Sequence, residues 1–315
     1  MTQHPDLAAE QAYIDHAYEC IEQARARANS LQSMVEVGRG GTEQARFERD
    51  VIWDTILQRL TQLHLGDAAL CFGRIDREPD EIAPAGDSFY IGRISVADEN
   101  QEPVIVDWRA PVAEPFYRAT GRQTMGLARR RHFATRGRTL LNIEDELFGE
   151  AALQLGSGQL GYADGDGTGA NGANPAGLAG YGTLISALET ARSGRLGDIV
   201  ATIQGEQDEI IRSPLAGVLV VQGGPGTGKT VVALHRAAYL LYTHRFPLED
   251  QGVLVIGPNR LFLAYIEQVL PSLGEAGVQL AVLADLVNDV SVRGRDRSRV
   301  ARLKGDEVMA KVLAK

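Results

Sequence analysis

The 315-residue chain has only two cysteines, Cys20 and Cys71. Two cysteines exclude a disulfide framework and a cysteine-built zinc cluster, and reduced thiols are the expectation. No apolar run approaches the roughly 18 residues of a membrane span. The opening MTQHPDLAAEQ has neither the basic nor the apolar region of a signal peptide. Together these absences predict a cytoplasmic protein with no membrane partner. Positive charge is also short. Lys and Arg number 32 against 41 Asp and Glu, a net −9. That excludes a small nucleic-acid binder running on global charge, though not a local basic groove. Residues 115–143 are the converse case, with no Asp or Glu but with Arg118, Arg122, Arg129, Arg130, Arg131, Arg136 and Arg138. Such a run either meets phosphates or an acidic partner, or is a solvated or internally paired surface.

What is present is ordinary globular composition, 44% hydrophobic and 23% charged. At about 150 residues per domain, the length suggests two domains. Leu7, Ile14, Ile21, Ala28 and Val35 recur every seven residues, and Ala17, Ala24 and Leu31 fill the second seam position. This heptad pattern predicts one long helix over residues 7–37, about 46 Å at 1.5 Å per residue. Gly38 to Gly41 break it, and Thr42 is suited to cap a second helix. That helix carries the stripe Phe47, Ile52, Ile56, Leu60 and Leu63. A helical hairpin, read as a projecting arm, is therefore expected over residues 1–66.

Residues 67–154 read as a β-rich module with the basic segment. ALCFGRID, SFYIGRISVAD and PVIVDWRAPVAEPFYRAT are short runs of strand composition. Asp98-Glu99-Asn100 is expected to turn an antiparallel hairpin between Tyr90–Ala97 and Val104–Trp108. Residues 155–182, with ten glycines in 28 positions, read as a flexible linker.

The remaining stretch, 183–315, contains the chemistry. The apolar run Val218–Val221 fits a buried parallel strand. It leads into Gly223-Gly224-Pro225-Gly226-Thr227-Gly228-Lys229-Thr230, a match to G-x-x-x-x-G-K-[ST] at every specified position. A helical pattern follows, with Val231, Leu234, Ala238 and Leu241 on one face. Strand, glycine loop and helix make a phosphate cradle. Backbone N–H groups curl around the phosphates, and the helix N-terminus adds a positive dipole end. Lys229 should reach the terminal phosphates and Thr230 should ligate Mg²⁺, so ATP or GTP with Mg is the cofactor implied. Val253–Gly257 reads as a second parallel strand, residues 260–270 as a helix, and Leu280–Leu283 as the start of a third unit. The fold class expected is thus α/β: a helical hairpin, a small β-rich module, then a partial RecA-like P-loop domain.

IQGEQDEIIRSPLAGVLVVQGGPGTGKTVVALHRAAYLLY resembles the opening of superfamily I helicases of the UvrD/Rep type. That resemblance implies that Gln207 reads the adenine edge, with Gln204 as a second candidate, and that Arg236 lies near the base. CFGRID, YIGRISVAD and VIVDWRAPVAEPFY resemble the HelD branch, bacterial helicase-like NTPases associated with RNA polymerase. This resemblance implies core RNA polymerase as a partner, nucleic acid as a partner of the complete protein, and a role in releasing polymerase for recycling.

Eighty-five residues follow Thr230, and no apolar strand among them ends in the paired Asp-Glu that holds Mg²⁺ and activates water. Asp285 and Asp306-Glu307 are the weak candidates. The sequence therefore supports nucleotide binding better than self-sufficient hydrolysis, and it reads as the front part of a longer NTPase. Two alternatives stand beside the HelD reading: a UvrD-type DNA helicase, and a non-hydrolysing module that binds nucleotide and a partner.

Overall fold

The computed structural model describes residues 4–37, 68–81, 83–149, 200–244, 252–269, 278–286 and 296–314, with short pieces at 51–53, 55–57, 60, 63, 248 and 294. Helix α1 spans Leu7–Val37, as the heptads predict. The second helix of the expected hairpin lies largely outside the described residues. Its glycine tip and the glycine-rich segment 155–182 lie wholly outside them.

Six strands form one sheet in the order β3-β4-β2-β1-β5-β6. They are β1 (Cys71–Arg77), β2 (Ser88–Gly92), β3 (Val96–Ala97), β4 (Pro103–Asp107), β5 (Leu127–Arg136) and β6 (Thr139–Leu147). The expected hairpin at Asp98–Asn100 forms, but only between β3 and β4. There Asp98 Oδ1 accepts from the backbone N–H groups of Asn100 at 2.8 Å and Glu102 at 2.9 Å. The anticipated single strand Tyr90–Ala97 is divided. At the break, the Arg93 backbone N–H donates to the Leu70 carbonyl and its Nε donates to Ala69, which draws the chain out of the ladder. As a result β2 and β4 pair in parallel, Ile91 opposite Val106, where an antiparallel pair was expected.

The two faces of this sheet bury different partners. One face packs against α1: Ile14, Ala17, Tyr18 and Ile21 join Leu70, Tyr90, Ile105, Phe133 and Ile143 in one cluster. Farther along α1, Leu31 and Met34 are exposed. The helix is therefore seated on the sheet over its first half, and this core draws on both sides of the 66/67 boundary. The opposite face carries α2 (Glu114–Arg118), α3 (Gly205–Ile211) and α4 (Lys229–Thr243). Phe72, Ile75, Ile91, Trp108, Phe116 and Tyr117 share this core with Ile211, Val232, Leu234, Ala238 and Ile266.

The arginine-rich segment resolves in favour of internal pairing. Arg118 closes α2, Arg122 and Arg136 are exposed, and within the β5–β6 ladder Arg131 stands opposite Asp145 as Arg130 does opposite Glu146. The Arg131 side chain is 1% exposed. It bridges Asp145 at 2.7 Å, Asp6 at 2.7 Å and the buried Glu10 of α1. Arg74 adds a second bond to Glu10 at 2.9 Å and reaches Asp76 at 2.7 Å. Arg129 pairs with Asp76, and Arg118 with Glu114. The base of α1 is thus ionically pinned to the sheet.

The C-terminal part differs from the expected P-loop domain. β7 (Val253–Gly257) and β8 (Val278–Val282) pair in parallel around α5 (Arg260–Val269), close to the positions read from sequence. Val218–Val221, however, is not a strand. Val218 is 94% exposed and Val220 74%, and the described sheet at this end holds only β7 and β8. A buried parallel strand needs neighbours to satisfy its N–H and C=O groups, and these residues have none among the described strands. Of the expected RecA-like lobe, the described residues comprise the glycine loop with α4 and the parallel pair β7–β8 with α5. The tail folds as two exposed helices, α6 (Ser298–Lys304) and α7 (Glu307–Leu313).

Removing the cation of a buried pair leaves its carboxylates unpaired, at a cost of about 3–5 kcal/mol. Arg131→Leu is accordingly expected to lower stability by about that amount. Arg138→Ala, which removes an exposed pair with Glu22, should change it far less, because solvent screens that pair. Denaturant unfolding followed by circular dichroism checks both, and equal effects would overturn the assignment of the pin.

Candidate functional site

The glycine loop closes onto the N-terminus of α4. Gly226 and Gly228 have φ of +80° and +81°, a region a Cβ disfavours. Gly228 caps the helix, its carbonyl accepting the Val232 N–H at 2.9 Å. The Thr227 hydroxyl folds back to donate to the Gly224 carbonyl at 3.0 Å. It also seats against Gly223, where a Cβ would lie 2.6 Å from Thr227 Oγ1. Pro225 sits at the tip between these contacts. Lys229 opens α4 and curls over the loop, its Nζ donating to the carbonyls of Gly223 at 2.8 Å and Gly224 at 2.5 Å. Thr230 is the second residue of the helix and half-buried. The loop thus brings a lysine ammonium, a helix N-terminus and left-handed glycines together within eight residues. That donor set suits the phosphates of a nucleotide, and the Thr230 hydroxyl suits the Mg²⁺ that accompanies them.

Gln207 and Gln204 separate in role. Gln204 is the N-cap of α3 and exchanges hydrogen bonds with Gln207 in a capping box. Gln207 also faces the loop, its Nε2 donating to the Thr227 carbonyl at 3.4 Å. Arg236 lies two turns along α4, and its guanidinium is engaged at the end of α3. It donates to the carbonyls of Ile210, Ile211, Ser213 and Pro214 and to the Ser213 hydroxyl, at 2.7–3.2 Å. Burial lowers its pKa. It also borders an open cavity of about 460 Å³ walled by residues 213–219 and Leu240. The structure thus brings Gln207 to the loop and makes Arg236 a brace.

Of the three weak carboxylate candidates, Asp285 and Asp306 serve the backbone. Asp285 accepts from Arg260 at 3.1 Å and from the Val282 N–H at 3.4 Å. Asp306 caps α7 by accepting the Val308 N–H at 3.0 Å, and Glu307 pairs with Lys311.

Sequence reasoning missed the residues that join this loop to the sheet. Arg212, at the C-cap of α3, holds the fully buried Asp208 at 2.9 Å. It also donates to the carbonyls of Trp108 at 2.7 Å, Arg109 at 3.2 Å and Ala110 at 3.4 Å. From α4, His235 meets the Trp108 ring edge-on at 5.5 Å between centroids. His235 Nδ1 lies 2.8 Å from the Val231 carbonyl, which only accepts, so Nδ1 carries the proton. Its Nε2 is buried with no hydrogen-bond partner. The signals were in the sequence, an i,i+4 Asp208/Arg212 pair and the DWRA turn, but nothing in the sequence places the two beside each other.

Residues 7–159 match the family model described as DNA helicase IV HelD, N-terminal domain. The matched span includes α1 and the whole six-stranded sheet, so this part of the chain is HelD-like. It contains the DWRA turn that Arg212 grips, while the phosphate loop lies beyond it. No curated protein matches the chain. Among the described residues no helix is long and apolar enough to cross a membrane.

Burial pushes the His235 pKa down to about 4. A base whose folded pKa is lowered binds fewer protons folded than unfolded, so stability rises with pH across that window. Acidifying from about pH 7 to about pH 5 should therefore cost roughly 2 kcal/mol through His235 alone. In His235→Gln that slope should flatten. An unchanged pH dependence of the unfolding midpoint would show that His235 is not held neutral.

Proposed function

We propose that this chain is the nucleotide-binding front part of a HelD-type, helicase-like NTPase that binds RNA polymerase and acts in its release from nucleic acid. One observation supports this above the others: a G-x-x-x-x-G-K-T loop caps a 15-residue helix, and that helix packs through Val232, Leu234 and Ala238 against the sheet that lies within the HelD N-terminal match. Mg-ATP or Mg-GTP docks on Gly223–Thr230, with Lys229 on the terminal phosphates and Thr230 on the metal. Gln207, beside the loop, faces the base side. The nucleotide supplies a strained phosphoanhydride, and the chain's own groups bind and orient it.

The non-hydrolysing reading has a specific observation in its favour. Asp285 and Asp306 are both engaged with backbone N–H groups, which leaves Glu307, paired with Lys311, as the last of the three candidates. Binding without turnover is the behaviour this suggests for the isolated chain.

Calorimetric titration with Mg-ATP and Mg-GTP tests the site. Lys229→Ala removes a charge-assisted contact of about 1.5–3 kcal/mol and should weaken binding roughly 10–100-fold. Wild-type affinity in that variant would refute the assignment. Retention of core RNA polymerase on the immobilised chain tests the partner. Failure of that capture, together with turnover stimulated by single-stranded DNA, would favour a UvrD-type helicase.

A further inference from the structure

The phosphate loop and the sheet are joined by two helices that run between the same two places. At one end, α3 touches the loop through Gln207 and α4 begins inside it at Lys229. At the other, Arg212 of α3 grips the Trp108, Arg109 and Ala110 carbonyls, while α4 presents His235 to the Trp108 ring. Tyr242, also on α4, lies 4.7 Å beneath the Arg109 guanidinium. Gln207 to Arg212 is five residues and Lys229 to His235 six, so each helix spans about 8–9 Å at 1.5 Å per residue. The helices are cross-braced by Arg236, which holds the end of α3, and by Arg212 over the Tyr239 ring at 5.3 Å. These contacts tie the two helices to each other.

We propose that α3 and α4 act as paired struts that couple occupancy of the Gly223–Thr230 loop to the Asp107–Ala110 turn of the sheet. This rests on the nucleotide-binding reading above. The movable element is Lys229. Its ammonium is held by two carbonyls of its own loop, and a phosphate is the stronger acceptor. Drawing Lys229 onto phosphate pulls on the first turn of α4. The far end of that movement is Trp108, whose backbone N–H is bonded to Gly92 at 2.9 Å. It lies next to Asp107, itself paired with Gly92 across the parallel β2–β4 ladder. Beyond that ladder, β4 pairs with β3, and α1 packs on this part of the sheet. Coupling is reciprocal, so a partner that loads the sheet or α1 changes nucleotide affinity by the same factor as nucleotide changes affinity for the partner.

The chain has two tryptophans, Trp53 and Trp108, so Trp53→Phe leaves Trp108 as sole reporter. Trp108 emission is followed during Mg-ATP titration, with calorimetry and amide exchange on the same protein. The expected result is an emission change whose midpoint matches the calorimetric Kd, with slowed exchange at residues 107–110 as well as 223–230. Arg212→Lys keeps a cation beside Asp208 but cannot bridge three carbonyls, and it should lose most of the emission response. Mg-ATP binding with no change at Trp108 or in exchange at 107–110 would overturn the coupling and leave the nucleotide site standing. Absence of calorimetric binding would overturn both. Should Arg212→Lys fail to fold, the exchange pattern of the unsubstituted chain decides alone.

Discussion

The Arg212 guanidinium joins the two halves of this molecule. It is 6% exposed and its partner Asp208 fully buried, so the pair sits where an unmatched charge would be costly. Desolvation raises the Asp208 pKa, and Arg212 acts against that rise. The remaining donors of the fork reach carbonyls of the Trp108 turn. A lysine would neutralise Asp208 but could not span those acceptors with a planar fork. The helices behind the phosphate loop therefore lie where Arg212 sets them. The shared core of Trp108, Phe116, Val232 and Leu234 forms around that placement.

A similar device works on the opposite face of the sheet. Arg131 and Arg74 converge on Glu10 and hold the first turn of α1 to the central strands. In both cases a buried carboxylate on a helix meets arginine, and the arginine reaches further groups across the junction. Arg129, Arg130 and Arg131 of β5 are consequently part of the fold. Their pairing with Asp6, Glu10, Asp76, Asp145 and Glu146 takes them away from a phosphate-binding role, so the proposed anion chemistry falls to the loop at the head of α4.

That loop is well formed although the sheet beside it is short. Lys229, Thr227 and the left-handed glycines hold its shape from within, and Gln207 supports it from α3. Val218 and Val220 lead into it exposed, and Leu254 and Ile256 of β7 are each 49% exposed. Parallel strands are ordinarily covered on both faces, and these apolar positions are the part of the described structure farthest from that condition. The loop's geometry is thus a local property of residues 223–230 and α4, while a complete surrounding sheet is a separate requirement.

The sequence by itself determined what local physics determines. The heptads of residues 7–37 could form only a helix, and the G-x-x-x-x-G-K-T string could form only a tight loop opening a helix, since its glycines and lysine act within eight residues. Turn chemistry at Asp98 and the strand composition around Ile75, Ile91 and Ile105 were legible for the same reason. What the tertiary structure decided were pairings across long separations: Arg131 with Glu10, Arg212 with the Trp108 carbonyl, His235 with the Trp108 ring. Charge composition cannot tell an arginine paired across a sheet from one facing solvent. The apolar run 218–221 reads as a strand, yet strand formation depends on hydrogen-bonding neighbours that sequence pattern does not place. The parallel pairing of β2 with β4 likewise follows from Arg93 reaching back to Ala69 and Leu70. No spacing rule encodes that contact, because its free energy exists only once the strands have met.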